Sequence, residues 1–147
     1  MKIKIAWIGK TKDPAIAALT EEYLKRIARY APVEGVTVRD EADLLAKFVG
    51  AKGAARSSLL LMDSRGKEFS SLQFAKFLGD YQDRNPLPMV FAIGSADGFS
   101  DAARSAAQNV ISLGKMTLAH ELARVVLLEQ VYRAFTILKG HPYHSGH

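Results

Sequence analysis

Two histidines, a tyrosine and an arginine stand where they could handle a proton or grip a base. His120 and Arg124 are four residues apart in a long apolar segment, so on a helix they share a face near its start. Thr117 reads as the N-cap of that helix, which places His120 at the third helical position. A helix amino terminus disfavours a cationic imidazole, and a neutral imidazole can accept a proton. A hydrogen-bonded structural histidine would carry the same signature. Near the end of the chain, in KGHPYHSGH, Tyr143 and His144 adjoin. An aromatic ring beside an imidazole suits stacking and hydrogen bonding on an exposed base. His141, His144 and His147 recur at spacing three, but Pro142 forbids a regular helix through them, so no metal site is expected.

A second candidate is the loop in VFAIGSADGFS, residues 90–100, where glycines at Gly94 and Gly98 follow an apolar run. It lacks the G-x-G-x-x-G spacing of a dinucleotide loop and the G-K-[ST] ending of a P-loop, and Asp97 would repel phosphate. A phosphate cradle is therefore not expected. At the carboxyl end of a buried strand, such a loop still faces a ligand crevice, and glycine lets backbone groups approach the ligand.

These residues must be held by elements, and their patterns are legible. Ile3 and Ile5 alternate with Lys2 and Lys4, a strand with a wet face. Asp13-Pro14 is a cap followed by proline at the first helical position, and Ile16, Leu19, Tyr23, Ile27 and Tyr30 follow at helical spacing. VEGVTV (33–38) is a short strand, and Leu44, Leu45, Phe48 and Val49 make a second helix that ends in small residues at 50–55. SLLLMD (58–63) and MVFAI (89–93) are strands covered on both faces. SRGKEFSS (64–71) reads as a turn-rich loop, with Ser70 or Ser71 capping a helix that NPLP stops. Ser100 caps a short alanine-rich helix to about Gln108, and VISL (110–113) is a strand followed by the loop GKMT. Strands alternating with helices predict an α/β layer fold, mainly parallel, with helices on both faces.

The last helix, to about Leu138, has no face free of apolar residues, since Val125, Val126, Leu127 and Leu128 point in four directions. Such a helix needs burial on more than one side, which predicts a homodimer. Glu129 and Arg133 stand in the favourable i,i+4 order, and Glu121 lies three before Arg124, so both read as local pairs.

The whole chain limits the classes open to it. At 147 residues it fits one domain, 1–147, with no linker or repeat. No apolar run approaches the roughly 18 residues of a membrane span, and the start is too short in apolar residues for a signal peptide. The absence of cysteine excludes disulfides and thiolate metal sites, and a cytoplasmic protein is expected. A net charge of +5 points to an anionic partner, nucleic acid first. From the residues alone, a catalyst, a non-catalytic nucleotide- or RNA-binding module and a structural dimeric domain all stay open.

LLMDSRGKEFSS, FAIGSADGFS, SLGKMTLAHELARVVLLEQVYRAF and the ending PYH, in this order, resemble the RlmH-type methyltransferases of the SPOUT superfamily. A weaker likeness runs through MKIKIAWIGKTKD. The resemblance implies a trefoil knot near the carboxyl end, a homodimer, S-adenosylmethionine as methyl donor and no metal. It implies as acceptor N3 of a pseudouridine in 23S rRNA of the assembled ribosome. Carried over position by position, it puts the cofactor against Met62, Gly94 and the segment Leu113, Gly114, Lys115, Met116, Thr117 and Leu118. His120, Tyr143 and His144 would surround the methyl group and the incoming base, with Arg124 on the RNA and the tails completing the partner's site. The chain departs from the family's pattern at Ser95, Gly114, Ala119 and Ser145, where a glycine, a serine, a proline and a basic residue are usual.

Overall fold

The computed structural model describes residues 1–49 and 57–145. The small-residue stretch at 50–55 and His147 lie outside them. Among the described residues five strands alternate with five helices: β1 (Ile3–Ile8), α1 (Pro14–Ala28), β2 (Val33–Val38), α2 (Glu41–Phe48), β3 (Ser58–Glu68), α3 (Ser71–Arg84), β4 (Met89–Ile93), α4 (Asp101–Ala106), β5 (Asn109–Ser112) and α5 (His120–Leu138). The sheet order is β2-β1-β4-β3-β5, and every ladder is parallel. This is the α/β layer that the alternating patterns predict.

Parallel neighbours need crossovers, and the crossovers cover both faces of the sheet. Period-two alternation then divides the strand residues. Ile3, Ile5 and Trp7 of β1 and Met89, Phe91 and Ile93 of β4 pack with α1, α3 and α5. Ala6, Val90 and Ala92 pack on the opposite face with Leu44 and Phe48 of α2 and Ala103 of α4. Helix starts follow the cap residues read from the sequence. Asp13 accepts the Ala15 amide at 2.8 Å, Ser70 forms a capping box with Gln73, and Ser100 accepts the Ala103 amide.

Two expectations are corrected. The stretch 64–71 is not simply a loop, because β3 runs on to Glu68. After pairing Leu60–Met62 with Asn109–Ile111, β3 shifts register and pairs Lys67 and Glu68 with Ile111 and Ser112. Ile111 thus partners both Met62 and Lys67. Nor does Thr117 cap the last helix: α5 starts at His120, with Ala119 at the N-cap and no side-chain cap bond. His120 is at the first helical position rather than the third. The all-round apolar surface of α5 is largely consumed by wedging between α1 and α3 over the sheet, where Leu127, Leu128, Val131, Ala134 and Phe135 are buried. Leu122 stays 46% exposed.

Candidate active site

The end of the buried run of β3, at Met62–Arg65, and the carboxyl ends of β4 and β5 open into a cleft of about 280 Å³. A parallel sheet places strand ends and helix starts on the same edge, so three loops distant in sequence meet there. Met62 and Gly94 stand at the first two, and Leu113, Gly114, Met116, Thr117 and Leu118 form the third wall. His120 enters from the first turn of α5. Lys115 is exposed at its loop and stands outside the wall, while Met116 is 87% exposed beside the opening. Ser95, the departure in the β4 loop, is exposed on the cleft wall.

The glycine loop has a specific reason for its composition. A side chain at Gly94 would bring its Cβ to 3.1 Å from the Phe99 ring. Gly98 adopts φ +78°, where a Cβ would also lie 3.2 Å from Arg65 and Asp63. The Gly98 amide donates to the Ser95 carbonyl at 3.0 Å, closing a turn, with Asp97 on the cleft wall. The β4 loop is thus a tight backbone surface suited to a ligand held by main-chain groups.

Sequence reasoning missed the clamp that fixes this loop. The side chain of Asp63, only 2% exposed, ends the buried run of β3. It accepts Arg65 Nε and Nη2 at 2.9 and 2.8 Å, the Arg65 amide at 3.0 Å and the Phe99 amide at 3.2 Å. Arg65 Nη2 also donates to the Phe99 carbonyl, as does Arg104 Nη1. Hydrogen bonds from the Arg65 side chain, opposed by burial, hold the Asp63 carboxyl well below the usual carboxylate range. The signal was available: an acid closing an uninterrupted apolar run, with arginine two residues on.

Around His120 the structure redirects two expectations. Glu121 does not serve as a simple partner to Arg124. Its carboxylate accepts the amides of Lys12 at 3.1 and 3.3 Å and of Asp13 at 3.2 Å, which lowers its pKa from the ordinary value. Arg124 is only 1% exposed. Its guanidinium lies 3.9 Å from the Trp7 ring centroid and donates to Thr11 Oγ1 at 2.7 Å. In this chain Arg124 thus fastens α5 to the end of β1 and the loop after it, rather than standing free on the surface where RNA was expected to meet it.

Tyr143 and His144 are kept together but away from His120 of their own chain. The Tyr143 hydroxyl donates to Glu129 at 2.9 Å, and its ring meets Tyr132 edge-on at 4.9 Å. Glu129 is two and a half helical turns beyond His120, which puts it on the opposite face and about 14 Å along the axis. Arg133 forms the expected pair with Glu129 at 2.8 Å, stacks over Tyr143 and donates to His144 Nδ1 at 3.0 Å. A guanidinium only donates, so Nδ1 accepts, and a neutral His144 carries its proton on Nε2. Burial first, then the bond to Glu129, pushes the Tyr143 phenol up to about 12, so it is a donor at neutral pH. Glu129 and Arg133, read from spacing as a local pair, are therefore the anchor of the tail. Among the described residues no group of three or more histidine or acidic residues could hold a metal ion.

S-adenosylmethionine fits this cleft by its chemistry. The glycines leave main-chain groups bare for an adenosine, the wall carries Met62 and Leu113, and Asp97 offers a carboxylate to a cationic ligand. A family profile described as "Predicted SPOUT methyltransferase" matches residues 1–144. The chain is 52% identical to the ribosomal RNA large subunit methyltransferase H of Koribacter versatilis, over the full length of both proteins. It is 43% identical to the protein of that name from Geobacter sp. strain M21, covering 98% of this chain and 99% of the relative. In fold it resembles a probable methylase family protein from Haemophilus influenzae Rd KW20, with TM-score 0.54 and 10% identity, over 98% of this chain and 69% of that one. It also resembles a Legionella pneumophila protein solved in complex with the bound cofactor SAM, with TM-score 0.51 and 17% identity, over 91% and 66%. The chain belongs to the SPOUT methyltransferase family, among the ribosomal RNA large subunit methyltransferases H.

Proposed function

We propose that the protein, as one domain over residues 1–147, methylates N3 of a pseudouridine in 23S rRNA of the assembled ribosome in the cytoplasm. The observation that carries this is the convergence of the three expected cofactor segments on one cleft with His120 at its edge. The relatives' printed names supply large-subunit rRNA as the substrate class. The resemblance supplies the pseudouridine and its N3.

S-adenosylmethionine, when bound, supplies an electrophilic methyl on a sulfonium. The β3 segment 62–65 and the loops after β4 and β5 would orient it through main-chain groups, and the clamp of Asp63 and Arg65 ties the β3 segment to the β4 loop. Transfer of the methyl to N3 would leave its bonding electron pair on sulfur, so the protein's task is to orient the cofactor and to remove the N3 proton. The N3 proton must leave, and we assign its removal to His120 at the cleft edge, with His144 or a water chain as the other routes, a task worth about 10²–10⁴-fold. His144, with Nδ1 occupied by Arg133, presents Nε2–H as a donor toward a carbonyl of the base, and Tyr143 supplies a stacking surface.

The distance between tail and cleft within one chain supports a homodimer in which each tail completes the partner's site. The half-buried Val125 and Val126 and the exposed Leu122 give α5 an outward apolar face for that contact. The family's trefoil knot is supported by the double partnership of Ile111 and by Gly66. A Cβ at Gly66 would sit 2.5 Å from the Val110 backbone, so β3 crosses closely over β5.

Mass spectrometry of 23S rRNA from cells lacking the protein, with and without added enzyme, tests the reaction. The added enzyme is expected to restore a methylpseudouridine, and an unchanged pseudouridine would end the assignment. His144→Ala is expected to abolish methylation while calorimetric binding of S-adenosylmethionine survives. Near-normal turnover in that variant would overturn the role given to the tail.

A further inference from the structure

The loop between β1 and α1, residues 9–13, leaves the sheet at the same carboxyl edge as the cleft. Gly9 turns the chain out of β1 at φ +85° while its amide donates to Val38 at 2.9 Å. Two side chains from the first turns of α5 then fasten the loop. Glu121 takes the Lys12 and Asp13 amides, and Arg124 donates to the Thr11 hydroxyl while stacked on Trp7. Residues 120 and 123 of the same helix face the cleft, so loop and cleft wall are fixed by one helix start.

The charges of this loop are unevenly used. Asp13 is committed to capping α1, and Glu121 to the loop amides. Lys10 and Lys12 are exposed, and neither forms an ion pair among the described residues. Four lysines elsewhere have acidic neighbours: Lys2 and Lys4 at Glu34, Lys47 at Asp43 and Lys76 at Asp80. Lys25, Lys67 and Lys139 are exposed without an ion pair among the described residues but stand on other elements, away from the loop that α5 tethers. Lys115, in the β5 loop, is likewise exposed and without an ion pair among the described residues. A tethered loop with two such ammonium groups is preorganised for anions that pass the cleft mouth.

We infer that residues 9–13 form a phosphate-binding rim for the RNA strand carrying the target nucleotide, with Lys10 and Lys12 contacting phosphates and Glu121 and Arg124 positioning the loop. The inference rests on the reading of the protein as an rRNA methyltransferase. Phosphate contacts of this kind set register and affinity but do not read sequence. Removing one lysine–phosphate pair lowers the salt dependence of binding by roughly 0.7–0.9 in log–log slope.

The test is methyl transfer to ribosomes from cells lacking the protein, measured over a range of KCl with the Lys10→Ala/Lys12→Ala enzyme. KM for ribosomes is expected to rise about tenfold near 0.1 M salt, and the slope of log kcat/KM on log salt to fall by roughly 1.4 or more. The kcat and the affinity for S-adenosylmethionine should stay unchanged. Lys10→Arg/Lys12→Arg should restore both KM and slope, and Lys76→Ala on α3 should change neither. An unchanged KM and slope in the alanine variant overturns the inference, as does a fall in kcat or cofactor affinity with the slope intact. Wild-type enzyme that methylates no ribosome overturns the function itself; active wild type matched by the variant overturns only the rim.

Discussion

The Asp63 carboxylate receives two hydrogen bonds from the Arg65 side chain and one each from the Arg65 and Phe99 amides. These bonds favour its charged form, so its folded pKa lies below the unfolded value of about 3.9. The stability they contribute is fully present above that unfolded value and is lost progressively as pH falls below it toward the folded pKa. Asp63→Asn keeps the shape and removes the charge. It is expected to lower unfolding free energy by about 1–3 kcal/mol at pH 7. The gap to wild type, read from urea denaturation, should narrow below about pH 4. A gap that stays constant from about pH 7 to about pH 2 would show that the charge is not its source. At this scale the sequence exposed residues with familiar chemistry, such as His120, Tyr143 and His144, and hid those whose importance comes from partners. Glu129 and Arg133 read only as a local pair because spacing shows the helix neighbour, not the tail that folds back onto it.

Among the elements, those with local signals were legible and those held by distant contacts were not. The starts of α1, α3 and α4 follow from Asp13, Ser70 and Ser100, because a cap is a bond between residues two or three apart. The start of α5 has no such bond. It is fastened instead through Glu121 and Arg124 to a loop at the other end of the chain, which is why Thr117 misled. The extension of β3 through 64–68 was equally invisible, since its pairing partner is β5. Gly66 marks that crossing. Gly66→Ala would drive a Cβ into the Val110 and Ile111 backbone, which has no rotamer to yield. The substitution is expected to cost about 3 kcal/mol or more, measurable as a lowered denaturation midpoint. A variant with wild-type stability would mean that β3 does not cross β5 this closely.

For the whole molecule, basic charge and alternating strands and helices were enough to reach an α/β fold suited to an anionic partner. The proposed homodimer belongs to this scale. It joins the tail of one chain to the cleft of the other and covers the outward face of α5. Sedimentation at micromolar concentration is expected to show a dimer. Leu122→Asp, which sets a charge on that face, is expected to dissociate it and to lower methylation at least about tenfold, while cofactor binding to the cleft persists. A monomeric wild type would remove the basis for tail sharing.

What the sequence determined by itself was local or periodic: the buried strands 58–63 and 89–93, the capped helices and the glycine-bearing turn after β4. Family membership was legible in the order of its motifs. Only the tertiary structure decided that three loops share one cleft, that Asp63 clamps two of them, and that Arg124 is enclosed against Trp7. It also decided that Tyr143 and His144 stand apart from His120 in their own chain. The reason is physical. Periodicity and capping depend on neighbours a few residues apart, whereas a site at a sheet edge is assembled from chain ends that only packing brings together.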